Sequence, residues 1–339
     1  MRAEATSRLH STAKLKKPQQ PTPNGTGIAR TLRQEVTRCD NHHPIRLPRS
    51  VSPLGPSTRR AGNGASYNPG YSRIMLSYLV DTIVDIQERF EAEEKTFLFL
   101  DFDGTLAPIE ADFAAPKLDP GLGETLALLS SNPSVITTII SGRAVEDLFA
   151  RIRLQGLIYA GNHGQEIFGR NVHFVEPVAA GRRNSLERLT NDIAARLRPI
   201  AGTAVEFKGL TSSVHYRQAA ESDYAEIQES VRVAAGRDER LFRLLHGIKA
   251  IEILPRTKWH KGAAAQWILN RFGGDGALVI YLGDDAADEE AFEVLPDAVT
   301  IKVGGAQPTH ARYRLPHPAA VHELLRWLAT LTAPKARRA

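Results

Sequence analysis

The run Phe97-Leu98-Phe99-Leu100-Asp101-Phe102-Asp103-Gly104-Thr105-Leu106 decides the fold. Its first four residues are apolar without alternation, and so short an apolar run fits a strand buried on both faces, as in a parallel sheet covered by helices. The run closes on two carboxylates two residues apart. They can face one pocket only if the backbone turns sharply, and Gly104 permits that turn. Two aspartates alone would read equally well as an acidic turn; the whole hexapeptide behind a buried strand points to a site.

Upstream, Leu76, Leu79, Val80, Ile83, Ile86 and Phe90 repeat at helical spacing from Met75. Downstream, helix and strand alternate. A helix opens after Asp119-Pro120 and stops at Asn132-Pro133; the strand Val135–Ile140, a short helix near Val145–Phe149 and a strand at Leu157–Ala160 follow. The middle differs: a helix carrying Leu186, Leu189, Ile193 and Leu197 precedes two short strands, Ala204–Lys208 and Ser213–Arg217. A helix over Tyr224–Ala235 precedes two more, Leu241–Leu245 and Ala250–Leu254. After Pro255 the first pattern resumes, with a helix Gly262–Phe272, strands Ala277–Leu282 and Val299–Val303, and helices near Glu289–Val294 and Val321–Leu331. Alternation on both sides of an insertion predicts an α/β fold: a doubly wound parallel-sheet core with an inserted α+β cap domain. The expected division is core over 75–177 and 251–333, cap over 178–250, and a short tail at 334–339.

Charge is distributed as unevenly as hydrophobicity. The 339 residues carry a formal net charge of +5, but residues 1–74 hold 13 Lys/Arg against 3 acidic residues, which leaves −5 on the remainder. That first segment also holds 8 of the 20 prolines and reads as a disordered basic extension, or as the product of a mis-assigned start, since the only methionines are Met1 and Met75. Its composition is no nucleic-acid signature: it has two aromatics for base stacking and no helix-turn-helix, zinc or RNA-recognition motif. Cys39, the only cysteine, lies there too, which excludes a disulfide framework or thiolate metal site elsewhere. No apolar run reaches the ~20 residues that span a bilayer, and the expected location is cytoplasmic.

In a doubly wound fold ligands sit beyond the carboxyl ends of the strands, and four polar clusters fall at such places. Besides Asp101 and Asp103 these are Ser141-Gly142-Arg143, whose hydroxyl and guanidinium are phosphate-oxygen donors; Lys261-Gly262, where an ammonium meets a helix N-terminus; and Gly283-Asp284-Asp285 with Asp288, Glu289 and Glu290, an oxygen-rich set suited to a hard cation. Each has an ordinary alternative. Ser-Gly is turn chemistry, a lone lysine is commonly solvated, and acidic residues favour helix N-termini.

Taken in order, the clusters resemble the haloacid dehalogenase superfamily of phosphohydrolases and, within it, the trehalose-6-phosphate phosphatase family. The shared features are Asp101–Leu106, Ile140–Arg143, Ala160–Gly164 with Glu166, the cap elements Glu206, Lys208 and His215–Arg217, then Glu252, Pro255, Lys261-Gly262 and Gly283–Asp285 with Asp288-Glu289. The resemblance covers residues 95–332. It implies a Mg2+-dependent hydrolase with Asp101 as nucleophile and Asp103 as general acid and base, crowded by neighbouring carboxylates. Ser141 and Lys261 would hold the phosphoryl oxygens. It further implies Mg2+ on Asp101, the backbone carbonyl of Asp103, Asp284 and Asp288, with Asp285 also near the metal's waters. A small sugar phosphate would be held by Arg143, Asn162, His163, Glu206, Lys208 and Arg217; no nucleic-acid or membrane partner is implied, and a monomer is compatible with this. Two positions depart from the family pattern: His260 stands where Asp is usual and Ala287 where Thr is usual. The rival readings are another sugar-phosphate phosphatase, acting on sucrose phosphate or mannosyl-3-phosphoglycerate, and a nucleic-acid-binding protein working through the basic extension.

Overall fold

A computed structural model describes residues 83–305 and 307–332. The basic segment, Cys39, the start of the helix expected from Met75 and the tail at 334–339 lie outside the described residues. The described chain opens with a helix α1 (83–92), β1 (Thr96–Leu100), α2 (Pro120–Ser131), β2 (Val135–Ile140), α3 (Val145–Ile152) and β3 (Ile158–Gly161). Strands β4 (Glu166–Gly169) and β5 (Val172–Val175) follow, then α4 (Pro177–Leu197), β6 (Ala204–Phe207), β7 (Ser212–His215), α5 (Tyr224–Gly236), β8 (Phe242–Gly247) and β9 (Ala250–Pro255). The chain continues through α6 (Lys261–Phe272), β10 (Leu278–Gly283), α7 (Ala286–Val294), β11 (Val299–Val303), β12 (Tyr313–Leu315) and α8 (Pro318–Leu331).

The larger sheet has the order β12-β11-β10-β1-β2-β3-β4-β5, parallel from β12 to β3, with β4 and β5 added antiparallel at one edge. All five residues of β1 are buried, as its continuous apolar run predicts. Pleating sends Leu98 and Leu100 to the face covered by Leu126 and Leu129 of α2 and Leu324, Leu325 and Leu328 of α8. Phe97 and Phe99 point the other way, into Ala264, Ala265 and Ile268 of α6 and Phe292 of α7. Each such side chain contributes about 1.5–3 kcal/mol by leaving water. β1 is therefore pinned on both faces, and whatever leaves its carboxyl end has a fixed position. Helix α2 begins as its sequence predicts, with Pro120 in the first turn and the Asp119 carboxylate accepting from Leu122 N at 3.0 Å.

The second sheet, order β6-β7-β9-β8, is antiparallel throughout. Helices α4 and α5 cover one of its faces, burying Leu186, Leu189, Ile193, Ile227 and Val231 against Val214, Ile251 and Ile253. The opposite face carries a cross-strand row, Glu206–Ser213–Glu252. Strand β9 pairs on both sides inside this sheet, so residues 251–255, which the expected division counts with the core, lie in the second sheet, in keeping with the strand read at Ala250–Leu254. Ile251 and Ile253 fill the insertion's own core rather than the larger one.

Candidate active site

A cleft lies between the carboxyl ends of β1, β2 and β10 and the open face of the second sheet, lined by Asp101, Asp103, Ser141, Lys208, Glu252 and Asp284 among others. Its floor is built around one ammonium. Lys261, the first residue of α6, is fully buried and donates to Asp101 Oδ1 at 2.7 Å and Asp288 Oδ1 at 2.8 Å, with Asp285 Oδ1 at 3.6 Å. Asp288 is the buttress of this group. Its Oδ1 also accepts from Tyr281 Oη at 2.9 Å, and its Oδ2 accepts from the backbone N of Asp284 at 3.0 Å and Asp285 at 3.1 Å. Asp285 in turn caps α7, accepting from Ala287 N and Asp288 N. The Ala287 departure is thus buried within a capping box that needs only its N–H. His260 is the extended residue before α6, and its side chain makes no cap bond there.

Carboxylates outnumber cations here. Burial pushes Asp101 well above the ordinary carboxylate range; Lys261 opposes this, and Asp284 and Asp285 add to it. Burial followed by Asp285 and Asp288 raises Asp284 in the same way, and burial raises Asp288. Asp284 Oδ1 is buried with no hydrogen-bond partner among the described residues. One carboxylate oxygen from each of Asp101, Asp284 and Asp288 falls within 4.8 Å of the others. Hard oxygen donors with surplus negative charge and an unpartnered buried oxygen fit a divalent cation. Of the three, Asp288 has four donors already on its two oxygens, so Asp101 and Asp284 offer the freer lone pairs.

Gly104 makes that proximity possible. Its φ is +80°, and a Cβ there would stand 2.0 Å from Asp284 Oδ2. Gly104→Ala is expected to destabilise the protein by about 1–3 kcal/mol through the left-handed backbone alone and to displace Asp284 as well. Thermal unfolding with and without a divalent cation checks both effects, because displacement of Asp284 should also shrink the cation's stabilisation.

Asp103 is not among the crowded carboxylates. Arg143 grips it with a two-pronged fork, Nε to Oδ2 at 2.6 Å and Nη2 to Oδ1 at 2.7 Å, so its dominant neighbour is a cation. Phe102 precedes it in the core and Gly104 follows in the left-handed turn, which sends Asp101 and Asp103 to different partners. Arg143, expected to be free for phosphate, is engaged with Asp103, Asp147 Oδ2 at 2.8 Å and the Phe113 carbonyl at 2.7 Å. Ser141 lines the cleft, and its Oγ accepts from Arg143 N at 3.2 Å.

Behind β3, Asn162 and His163 adopt φ of 52° and 58°, two successive left-handed residues without glycine. The turn aims His163 Nε2 at Glu252 Oε2, 3.3 Å away, and brings the ring so close to Gly142 that a Cβ there would lie 2.7 Å from it. Burial lowers the His163 pKa, favouring a neutral ring. Asn162 does not reach the cleft: it is fully buried, and its Oδ1 accepts from Thr211 Oγ1 at 2.8 Å, tying the larger sheet to the turn after β6. Glu166, on β4, faces His173 instead and does not line the cleft.

On the second sheet, Lys208 Nζ donates to Glu252 Oε2 at 2.7 Å while Ser213 Oγ donates to Oε1 at 2.7 Å. Lys208, His163 and Ser213 thus converge on Glu252; burial opposes its ionisation, but Lys208 and the His163 contact hold its pKa far below the usual range. Glu206 faces His215 at 3.2 Å, and the His215 ring stacks on Phe113 with centroids 4.2 Å apart. Arg217, expected at sugar hydroxyls, lines the cleft and donates to two backbone carbonyls, Glu110 on the loop after β1 and Ile248 at 3.0 Å in the β8–β9 turn. Of the wall residues, Glu252 and His215 belong to motifs visible in the sequence, but their place on the wall comes from strand pairing.

The family model described as trehalose-phosphatase matches residues 99–319. A trehalose-phosphate phosphatase of Mycobacterium tuberculosis is 36% identical over 241 residues, covering 68% of this chain and 61% of its own length. The chain therefore spans about three fifths of that relative. A trehalose 6-phosphate phosphatase of Zea mays is 33% identical over 252 residues, 68% of this chain and 69% of its own length. Among solved structures, the C-terminal domain of the C. albicans trehalose-6-phosphate phosphatase superposes with a TM-score of 0.65 at 23% identity, covering 73% of this chain and 96% of that one, which supports the fold.

Proposed function

The chain belongs to the trehalose-phosphatase family, and from that premise we propose that it is a Mg2+-dependent phosphomonoester hydrolase that releases phosphate from trehalose 6-phosphate. The observation that carries the reading is Asp101, held by a fully buried lysine at the end of a doubly buried strand and open to a cleft whose far wall is polar. A bound divalent cation would be held by Asp101, Asp284, the backbone carbonyl of Asp103 and, through its remaining capacity, Asp288; it would neutralise phosphoryl charge.

The residues divide the reaction as follows. A carboxylate oxygen of Asp101 attacks phosphorus while the phosphorus–sugar oxygen bond breaks, giving an aspartyl-phosphate. Asp103 donates its proton to the departing oxygen. It then takes a proton from the water whose oxygen attacks phosphorus, and the phosphorus–Asp101 bond breaks to return the free carboxylate and inorganic phosphate. Ser141, on the cleft wall, donates to the phosphoryl oxygens; Lys261, which lies beneath the cleft lining and offsets charge on Asp101, joins it by turning an N–H from its carboxylate partners to the phosphate. For these steps Asp103 must leave the Arg143 fork, and an incoming phosphate dianion competes for that guanidinium through the same two-pronged geometry.

Sugar selection falls to the opposite wall. Glu206 on β6 and Lys208 just past the strand's end line the cleft, with Glu252 across the sheet, so they offer hydroxyl groups both donors and acceptors. Lys208→Ala should raise KM for the disaccharide phosphate about tenfold or more while sparing KM for a small generic phosphoester. Equal loss on both would trace the effect to the uncompensated Glu252 it leaves behind.

The test of the whole reading is phosphate release from trehalose 6-phosphate, glucose 6-phosphate and sucrose 6-phosphate, with and without Mg2+. Preference for the first, lost on chelation, is expected. Preference for sucrose 6-phosphate would assign the chain to a different sugar-phosphate substrate, and no release from any would overturn the enzyme reading.

A further inference from the structure

The contacts that hold Asp103 continue beyond the cleft along one side of α3. Arg143, Asp147 and Arg151 are spaced four residues apart and form a chain of opposite charges starting at Asp103. Arg143 Nη1 donates to Asp147 Oδ2 at 2.8 Å, and Arg151 Nε donates to the same oxygen at 2.8 Å. The two guanidinium groups also hold the loop that joins β1 to α2. Arg143 Nη2 donates to the Phe113 carbonyl at 2.7 Å, and Arg151 Nη1 donates to the carbonyls of Ala114 at 3.0 Å and Pro116 at 2.5 Å. That loop is long and without regular structure, the kind of segment that needs external fixing to keep one conformation. A single carboxylate, Asp147, orders both arginines.

Asp147 does not line the cleft, so it contacts neither reacting atoms nor substrate. Its influence must pass through Arg143. The Arg143 guanidinium has two partners besides Asp103, Asp147 on α3 and the Phe113 carbonyl in the loop. Asp103 is the partner the proposed reaction needs to move. An arginine held only by Asp103 would follow that carboxylate when it swings, or follow the phosphate when it binds, since its flexible stem gives it that reach. Anchoring by Asp147 keeps the guanidinium in place while Asp103 departs.

We propose that Asp147 is a positioning residue: by anchoring Arg143 and Arg151 it fixes the guanidinium from which Asp103 is released to the leaving sugar oxygen. The inference rests on the hydrolase reading above and adds a residue outside the cleft to it.

The test compares two leaving groups. A sugar alkoxide needs a proton as it departs, whereas nitrophenolate does not, so in the transfer of phosphorus to Asp101, the step that kcat/KM reads, only the first depends on where Asp103 stands. For Asp147→Ala, kcat/KM on trehalose 6-phosphate should fall about tenfold or more, while kcat/KM on p-nitrophenyl phosphate stays within about threefold. In an Asp103→Asn background the same substitution should cause no further loss on the sugar phosphate, because the two residues act as one unit. Should Asp147→Ala fail to fold, Asp147→Asn carries the test: it keeps an oxygen for both arginines without the charge, and a smaller split of about threefold between the substrates is expected. Equal losses on both substrates, full additivity with Asp103→Asn, or no loss at all would overturn the proposal while leaving the hydrolase reading intact. A wild-type chain inert toward both substrates would overturn that reading and this one with it.

Discussion

Asp101→Asn is expected to reduce phosphate release from trehalose 6-phosphate by about a thousandfold or more, with the fold intact, because an amide of the same shape cannot supply the attacking oxygen. The substitution is close to isosteric, and an amide oxygen can still accept from Lys261 Nζ, which stands 2.7 Å from Oδ1. It also removes one negative charge from a site where burial and neighbouring carboxylates already push Asp101, Asp284 and Asp288 above their ordinary range. The cation-free variant should therefore melt above the wild type, because Lys261 keeps Asp285 and Asp288 as partners and relief of carboxylate repulsion outweighs the lost ion pair. Binding of a divalent cation should weaken, since one of the two freer carboxylates is gone. Steady-state phosphate release, thermal unfolding and cation titration check the three parts separately. Near wild-type turnover in a well-folded variant would remove Asp101 from the nucleophile role.

What made the site readable from sequence was burial, and what hid part of it was distance along the chain. Strands β1 and β10 are covered on both faces, so their apolar runs are continuous and their polar exits stand out. Strands β4 and β5 sit at the edge, with alternating exposure, and they fold back through Arg170 and Asn171, both left-handed at φ 46° and 62°. Their mark in the sequence is a four-residue alternation beside an unremarkable Gly-Arg-Asn, too short to separate from loop. The Asp103–Arg143 fork joins residues forty apart and depends on the turn at Gly104, so local spacing suggested a crowded carboxylate where the fold supplies a cation. The same holds for the wall. That Glu252 lies beside Ser213 and across from Glu206 is a matter of strand register, and Asn162 turns inward because Thr211 waits behind it. Residue types announced the chemistry; pairing decided which of them meet.

Lys261→Met should strongly destabilise the cation-free protein. Lys261 is wholly enclosed, and its ammonium is the cation that Asp101, Asp285 and Asp288 share. Methionine replaces most of its alkyl volume, so loss of packing is small. What remains is a set of buried carboxylates without their counter-charge, and breaking a buried pair from one side costs about 3–5 kcal/mol. The electrostatic origin has a recognisable pH signature. Asp101, Asp284 and Asp288 have folded-state pKa values raised above those of the unfolded chain. Groups of that kind favour the fold fully when protonated in both states, below about pH 4, and that contribution is lost as pH rises through the raised folded values. Removing the ammonium raises them further, so the variant's deficit against the wild type should be largest at neutral pH and should narrow as pH falls. A divalent cation should narrow it too, by supplying positive charge where the lysine's was removed. Activity should stay low, by about a hundredfold or more, even at saturating cation, because the proposed reaction draws on Lys261 both to hold Asp101 and to donate to the phosphoryl oxygens. Melting temperatures of both proteins across pH, with and without Mg2+, read these effects. A deficit that neither acid nor cation reduces would mean that Lys261 stabilises this floor by shape rather than by charge.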